Sequence, residues 1–137
     1  MNDLERAIEI ALDAHTEQED KAGETYIRHP LRVMQAMDTE TERIVAVLHD
    51  AVEDSEYELE EIEAEFGSEV CNAVAALTKR DGDDYLDDFI PRAADNDIAR
   101  KVKRADLTDN MDLTRLSEVT DDILEKQAEY HAALQQL

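Results

Sequence analysis

The sequence predicts an all-α protein, folded as a helical bundle. Three observations carry that expectation. The 137 residues hold only 3 Gly and 2 Pro, few punctuating residues for a turn-rich β fold. Ala, Leu, Glu and Arg, all good helix formers, are abundant. Apolar residues recur three and four apart in one segment after another, the spacing of a helical face.

The length fits one domain, residues 1–137, with a sizeable core. Aromatic residues are only 4%, so that core must be mostly aliphatic. The single cysteine, Cys71, excludes an internal disulfide and fits a reducing cytoplasm; it reads as a small buried apolar residue. Lys and Arg number 14 against 36 Asp and Glu, a formal charge of −22. Such a surface repels phosphate backbones and anionic bilayers, so neither nucleic acid nor membrane is expected as a partner. Lysine supplies only 5 of the 14 basic residues, which leans toward adaptation to high salt. No apolar run approaches the roughly 20 residues that span a bilayer. The N-terminus, MNDLERAIEI, lacks the basic segment and apolar run of a signal peptide.

The first helix is expected from Asp3 to about Gln18, capped by Asn2 or Asp3, with His15 near its end. Glu19–Thr25 is a loop turning at Gly23. Pro30 is pre-set for a helix's first turn and should hold His29 extended just before it, aimed at a neighbouring helix. Leu31, Val33, Met34 and Met37 form that helix's apolar stripe.

Thr39 or Thr41 then caps a central helix that runs through Ile44–Asp54, IVAVLHDAVED. It is apolar over much of its circumference, yet it carries His49, Asp50, Glu53 and Asp54. His49/Glu53 and Asp50/Asp54 are spaced i,i+4, so each pair shares a face. Burying these groups is expensive unless they are paired or bound. A divalent cation would satisfy them, and the mix of imidazole and carboxylate suits manganese, iron or zinc.

Leu59–Phe66 follows, ended by Gly67, and Ser68 caps Glu69–Thr78. Lys79–Asp84 loops around Gly82, and Tyr85–Ala94 is a short helix, irregular at Pro91. Asp95 or Asn96 opens the next helix, whose inner face carries Ile98, Val102, Ala105 and Asp106, with Asn110 one turn on. An Asp facing a core needs a partner. Lys101, Lys103 and Arg104 are the one dense basic cluster, either paired with acids or lining an anion pocket. Ser117 opens a last amphipathic helix, with His131 on its surface.

Taken in order, YIRHPLRV, VLHDAVEDS, FGSEV, LTK and VKRADLTDNM resemble the hydrolase domain of the RelA/SpoT family. The nearest type is its small stand-alone, metazoan SpoT-like members, which are HD-domain metal-dependent phosphohydrolases. The likeness runs from Ala14 to about Leu116. It implies an all-α HD-domain bundle holding one divalent ion, usually Mn2+. By resemblance the metal ligands fall on His29, His49, Asp50 and Asp106, and a catalytic Glu-Asp pair on Glu53 and Asp54. Lys21, Tyr26 and Asn110 match substrate-binding positions, and Lys103 is the basic residue read with them. The implied reaction removes the 3′-diphosphate of guanosine tetra- or pentaphosphate (ppGpp, pppGpp), giving GDP or GTP and pyrophosphate. The alternatives are an HD phosphohydrolase for another nucleotide, such as NADPH or a nucleoside monophosphate, and a non-catalytic metal- or nucleotide-binding module. The chain departs from the family pattern where basic residues become Asp20, Leu107 and Asp112 and a His becomes Asp109. The ion site is retained while the shell that would attract phosphates is altered.

Overall fold

The computed structural model describes residues 1–137, and these form helices joined by short connections. In chain order they are α1 (Asp3–Ala14), α2 (Arg28–Gln35), α3 (Glu40–Leu48), α4 (Ala51–Asp54), α5 (Leu59–Phe66), α6 (Ser68–Ala76), α7 (Ile90–Ala94), α8 (Asp97–Asn110) and α9 (Asp121–Gln135). A π-helical turn, Tyr85–Phe89, leads into α7. The all-α expectation holds, and no helix is long and apolar enough to cross a membrane.

Local chemistry sets the helix starts. Asn2 and Glu5 form a capping box on α1, and Thr39 and Glu42 form one on α3. The Asn96 side chain caps α8, accepting from the Ala99 N–H. Gly67, at φ +91°, ends α5 and turns the chain directly into α6. The last helix starts later than Ser117 suggests, because the Thr120 side chain accepts from the Ile123 N–H.

α3 is the central rod. Val45, Ala46, Val47 and Leu48 are fully buried, and the helix packs on α1, α2, α6 and α8. Cys71 is buried as expected. A smaller apolar group of Phe89, Ile90, Leu107 and Ala133 binds the π turn, α7, α8 and α9 together. Leu107, at 0% exposure, therefore belongs to the core.

Two further expectations are corrected. The central helix does not run unbroken through Asp54: it stops at Leu48 and resumes at Ala51. In a regular helix the Ala46 carbonyl would accept from the Asp50 N–H. Here it accepts from the His49 ring through Nδ1 at 2.6 Å, and from the His49 N–H at 3.4 Å. Nor is His29 extended; it is the second residue of α2. The Arg28 N–H reaches the Thr25 carbonyl and the His29 N–H the Tyr26 carbonyl, so the turn is wound before Pro30 arrives. Pro30, third in the helix, lacks only an N–H that would have had no helical partner.

Candidate metal centre and its cleft

Three segments deliver four ligand-type side chains to one point. His29 comes from the start of α2, His49 and Asp50 from the break between α3 and α4, and Asp106 from the last turn but one of α8. One ligand atom from each lies within 4.8 Å of all the others. His29 Nε2 is 2.8 Å from Asp106 Oδ1, and His49 Nε2 is 3.3 Å from the same oxygen. Asp50 Oδ2 is 3.1 Å from His49 Nε2 and 4.0 Å from His29 Nε2. The two imidazoles and Asp106 are buried, and Asp50 is largely so.

An outer ring of hydrogen bonds orients each member. Nδ1 of His49 meets a backbone carbonyl, so it carries the proton and leaves Nε2 facing inward. Nδ1 of His29 meets Oδ2 of Asp109 at 2.6 Å, with the same consequence. The Tyr26 hydroxyl donates to Asp50 Oδ2. Lys103 Nζ donates to Asp106 Oδ2 at 2.8 Å, and Asn110 Nδ2 donates to Asp106 Oδ1 at 3.2 Å.

The electrostatics follow from burial opposed by pairing. Burial pushes the Asp50 carboxyl up, but His49 beside it wins and holds it at about 2. Asp106 is likewise held well below the carboxylate range: burial raises it, while Lys103 and both imidazoles outweigh burial. Burial disfavours charge on the imidazoles, but the carboxylates facing them raise both above an ordinary histidine. The residues fit a divalent cation. Two Nε2 atoms, with their tautomers fixed from behind, converge with two carboxylates in a nearly dry pocket.

The remaining expected residues divide. Glu53 and Asp54 both lie on α4. Glu53 is exposed as a residue, yet partial desolvation of its carboxyl, followed by the negative charge of Asp50, raises it above its usual range, although the Lys79 N–H donates to it. Asp54 instead accepts from Gln18 at 3.1 Å and lies 3.6 Å from the buried His15 ring. Lys21, Tyr26 and Asn110 line a cleft of about 200 Å³ beside the centre. Lys103 is not on that cleft. It is buried behind Asp106, over the rings of Tyr85 and Phe89 at 5.5 and 5.1 Å.

Arg32, Asp109 and Arg115, to which sequence reasoning assigned no role at the site, also line the cleft. For the first two the signal was helical spacing. Arg32 lies three residues beyond His29, and Asp109 three beyond Asp106, each on the face of its ligand.

A family model described as HD domain matches residues 7–130. Over 82 residues the chain is 44% identical to the guanosine-3′,5′-bis(diphosphate) 3′-pyrophosphohydrolase of Aquifex aeolicus, a match covering 56% of this chain and 12% of that protein. A probable GTP pyrophosphokinase of Mycobacterium leprae is 42% identical over 83 residues, 57% of this chain and 10% of that one. The Vibrio cholerae pyrophosphohydrolase is 37% identical over 82 residues, 57% and 12%. The chain thus spans only 10–12% of the length of these relatives. A solved structure described as a metazoan ortholog of SpoT that hydrolyses ppGpp superposes with a TM-score of 0.81, covering 98% of this chain and 84% of its own. Its identity to this chain is 23%, so that likeness is one of fold.

Proposed function

The chain belongs to the HD-domain family, and from that membership and the geometry of its centre we propose that it is a metal-dependent phosphohydrolase acting on guanosine 3′-diphosphate nucleotides. The products are GDP or GTP and pyrophosphate. The observation that carries this reading is the convergence of His29, His49, Asp50 and Asp106, with each Nδ1 already engaged and a raised carboxyl, Glu53, one turn beyond Asp50. The names of the pyrophosphohydrolase relatives point the same way. We read residues 1–137 as one domain of the reducing cytoplasm.

His29, His49, Asp50 and Asp106 would hold the ion, for which Mn2+ is the proposed identity. When bound, such an ion supplies Lewis-acid chemistry, lowering the pKa of water and offsetting charge on phosphoryl oxygens. Glu53 takes the proton from the attacking water; a carboxyl held above its usual range is the better base near neutral pH. Water attacks the phosphorus joined to the ribose 3′-oxygen. That phosphorus–oxygen bond breaks, pyrophosphate departs, and the 3′-oxygen gains a proton. Asp54, tied to Gln18, is a positioning group beside the catalytic carboxylate in sequence. Tyr26 keeps Asp50 turned toward the centre, and Lys21 and Asn110 face the substrate.

One observation favours a second reading, another nucleotide less highly charged than ppGpp, such as a nucleoside monophosphate or NADPH. The cleft's cations, Lys21, Arg32 and Arg115, are met there by Glu19, Asp20, Asp109 and Asp112. A cleft with three cations against four carboxylates attracts a highly charged polyanion weakly. A substrate panel with added Mn2+ tests both. Pyrophosphate release from ppGpp supports the first reading, and turnover of NADPH or monophosphates alone replaces it with the second. Tight metal binding without turnover of any nucleotide would overturn both.

A further inference from the structure

His29 is gripped at both ring nitrogens by a single helix. Asp106 and Asp109 stand three residues apart on α8, so their carboxylates project from one face. Asp106 Oδ1 lies 2.8 Å from Nε2, and Asp109 Oδ2 lies 2.6 Å from Nδ1. Asp109 is itself held. Arg32 donates to it through two nitrogens, Nε to Oδ1 at 2.8 Å and Nη2 to Oδ2 at 3.0 Å. Arg115 Nη2 donates to the Asp109 carbonyl at 3.1 Å and lies 3.6 Å from Oδ2. The carboxylate is 13% exposed, so these contacts are little diluted by water.

We propose that Asp109 is a positioning residue for the cation: clamped by Arg32, it fixes the proton of His29 on Nδ1 and presents the Nε2 lone pair to the centre. This rests on the metal reading above and goes beyond it, because the four-ligand set does not require Asp109. A carboxylate partner orients an imidazole ligand and raises its basicity more than a neutral carbonyl does. His49 has only the Ala46 carbonyl for that purpose. The two imidazoles are therefore unequal, and His29 is the one whose strength as a ligand depends on a side chain that can be replaced. Arg32 and Arg115 neutralise Asp109, so the clamp adds no net repulsion beside two ligand carboxylates. The position at which the sequence departs from the family pattern thus has a defined task here.

The test compares wild type, Asp109→Asn and Asp109→Ala by two readouts. The first is Mn2+ affinity, read by titration. The second is the His29 Nδ1–H resonance in zinc-loaded, 15N-labelled protein. The alanine variant is expected to bind Mn2+ roughly 10- to 100-fold more weakly, the usual scale for such outer partners, and to lose the low-field Nδ1–H signal. The asparagine variant keeps an accepting oxygen, so it should retain the signal and recover part of the affinity. If wild type binds no Mn2+ at all, the metal reading itself fails. If wild type binds and both variants bind equally tightly with the His29 signal unmoved, Asp109 is only an ion-pair partner of Arg32 and the proposal is overturned. Should the alanine variant fail to fold, Arg32→Ala takes its place. That change frees the clamp while leaving Asp109, and an unaltered affinity and resonance would count against the proposal in the same way.

Discussion

The carboxylate of Glu53 accepts a hydrogen bond from the backbone N–H of Lys79, tying the short helix α4 to the loop after α6. The bond sets the carboxylate's orientation without using a second side chain. Partial desolvation of the carboxyl and then the charge of Asp50 raise its pKa in spite of that bond, although the residue as a whole is exposed. A rate that needs Glu53 ionised should therefore fall off on the acid side at a higher pH than an ordinary glutamate gives. Glu53→Gln is expected to keep the metal and to lose at least about 100-fold in kcat, the scale of a general base. The same variant should lose the acid limb of the pH–rate profile. An unchanged rate would remove Glu53 from the role.

Asp106 has two duties, and its replacement should show both. Oδ1 faces the imidazoles while Oδ2 neutralises the buried Lys103. Asp106→Ala should weaken Mn2+ binding and also destabilise the metal-free protein by about 3–5 kcal/mol, since a buried ammonium is left unpaired. Metal titration reads the first effect and urea unfolding the second. Undiminished Mn2+ affinity would show that the ligand set is wrong. Lys103→Met, combined with Asp106→Ala, should recover much of the stability and none of the affinity.

Much of this was legible in the sequence because it depends on local spacing. Cap residues such as Thr39 and Asn96 and the apolar stripe of α3 are read from neighbours a turn apart, whereas the set of four candidate ligands came from the resemblance of motifs in their order along the chain. What was not legible depends on partners distant in the chain or on competition for one acceptor. The break after Leu48 arises because a side chain takes the Ala46 carbonyl, which periodicity cannot register. For Lys103 the choice between pairing with an acid and lining an anion pocket depends on the docking of α8, which turns it onto Asp106 and the rings of the π turn. Leu107 read as a lost basic group, but the face it occupies packs on Phe89, Ile90 and Ala133. Asp109 shares the face of Asp106, but its partners His29 and Arg32 lie 80 and 77 residues away in the chain and could not be read from spacing.

The loop between α6 and the π turn is held by Asp83 and Arg92, whose nearest atoms are 2.6 Å apart. Arg92 also donates to the Thr78 carbonyl at 3.1 Å, so the pair closes the loop at both ends. The hydrogen bond from Arg92, then one from the Arg80 N–H, lowers the Asp83 carboxyl below its usual range. A carboxylate lowered on folding adds stability that is fully present above its unfolded pKa and is lost as pH falls through the folded value. Asp83→Asn should therefore lower Tm at pH 7, and the gap from wild type should close as pH drops below about 4. A gap that stays constant down to pH 3 would mean that the pair contributes nothing through charge.

Part of the formal charge of −22 is gathered on α5 and its N-cap. Glu58, Glu60, Glu61, Glu63 and Glu65 are all exposed, and of these only Glu65 meets a cation, Arg6 at 2.7 Å. Glu60 and Glu61 in the first turn suit the helix dipole, but Glu63 lies in the last turn, where a negative charge is disfavoured. It also stands one turn from Glu60, a like-charge pair. Glu63→Lys removes both penalties and should stabilise the protein by about 0.3–1 kcal/mol at low salt. Raising NaCl toward 1 M contracts the screening length from about 10 Å at 0.1 M to about 3 Å. Wild type should then gain stability while the advantage of the variant shrinks. Urea midpoints for both proteins at low and high NaCl measure this. A wild type that is indifferent to salt would show that the acidic surface exerts no strain on the fold, and an undiminished advantage would assign the gain of Glu63→Lys to packing rather than charge.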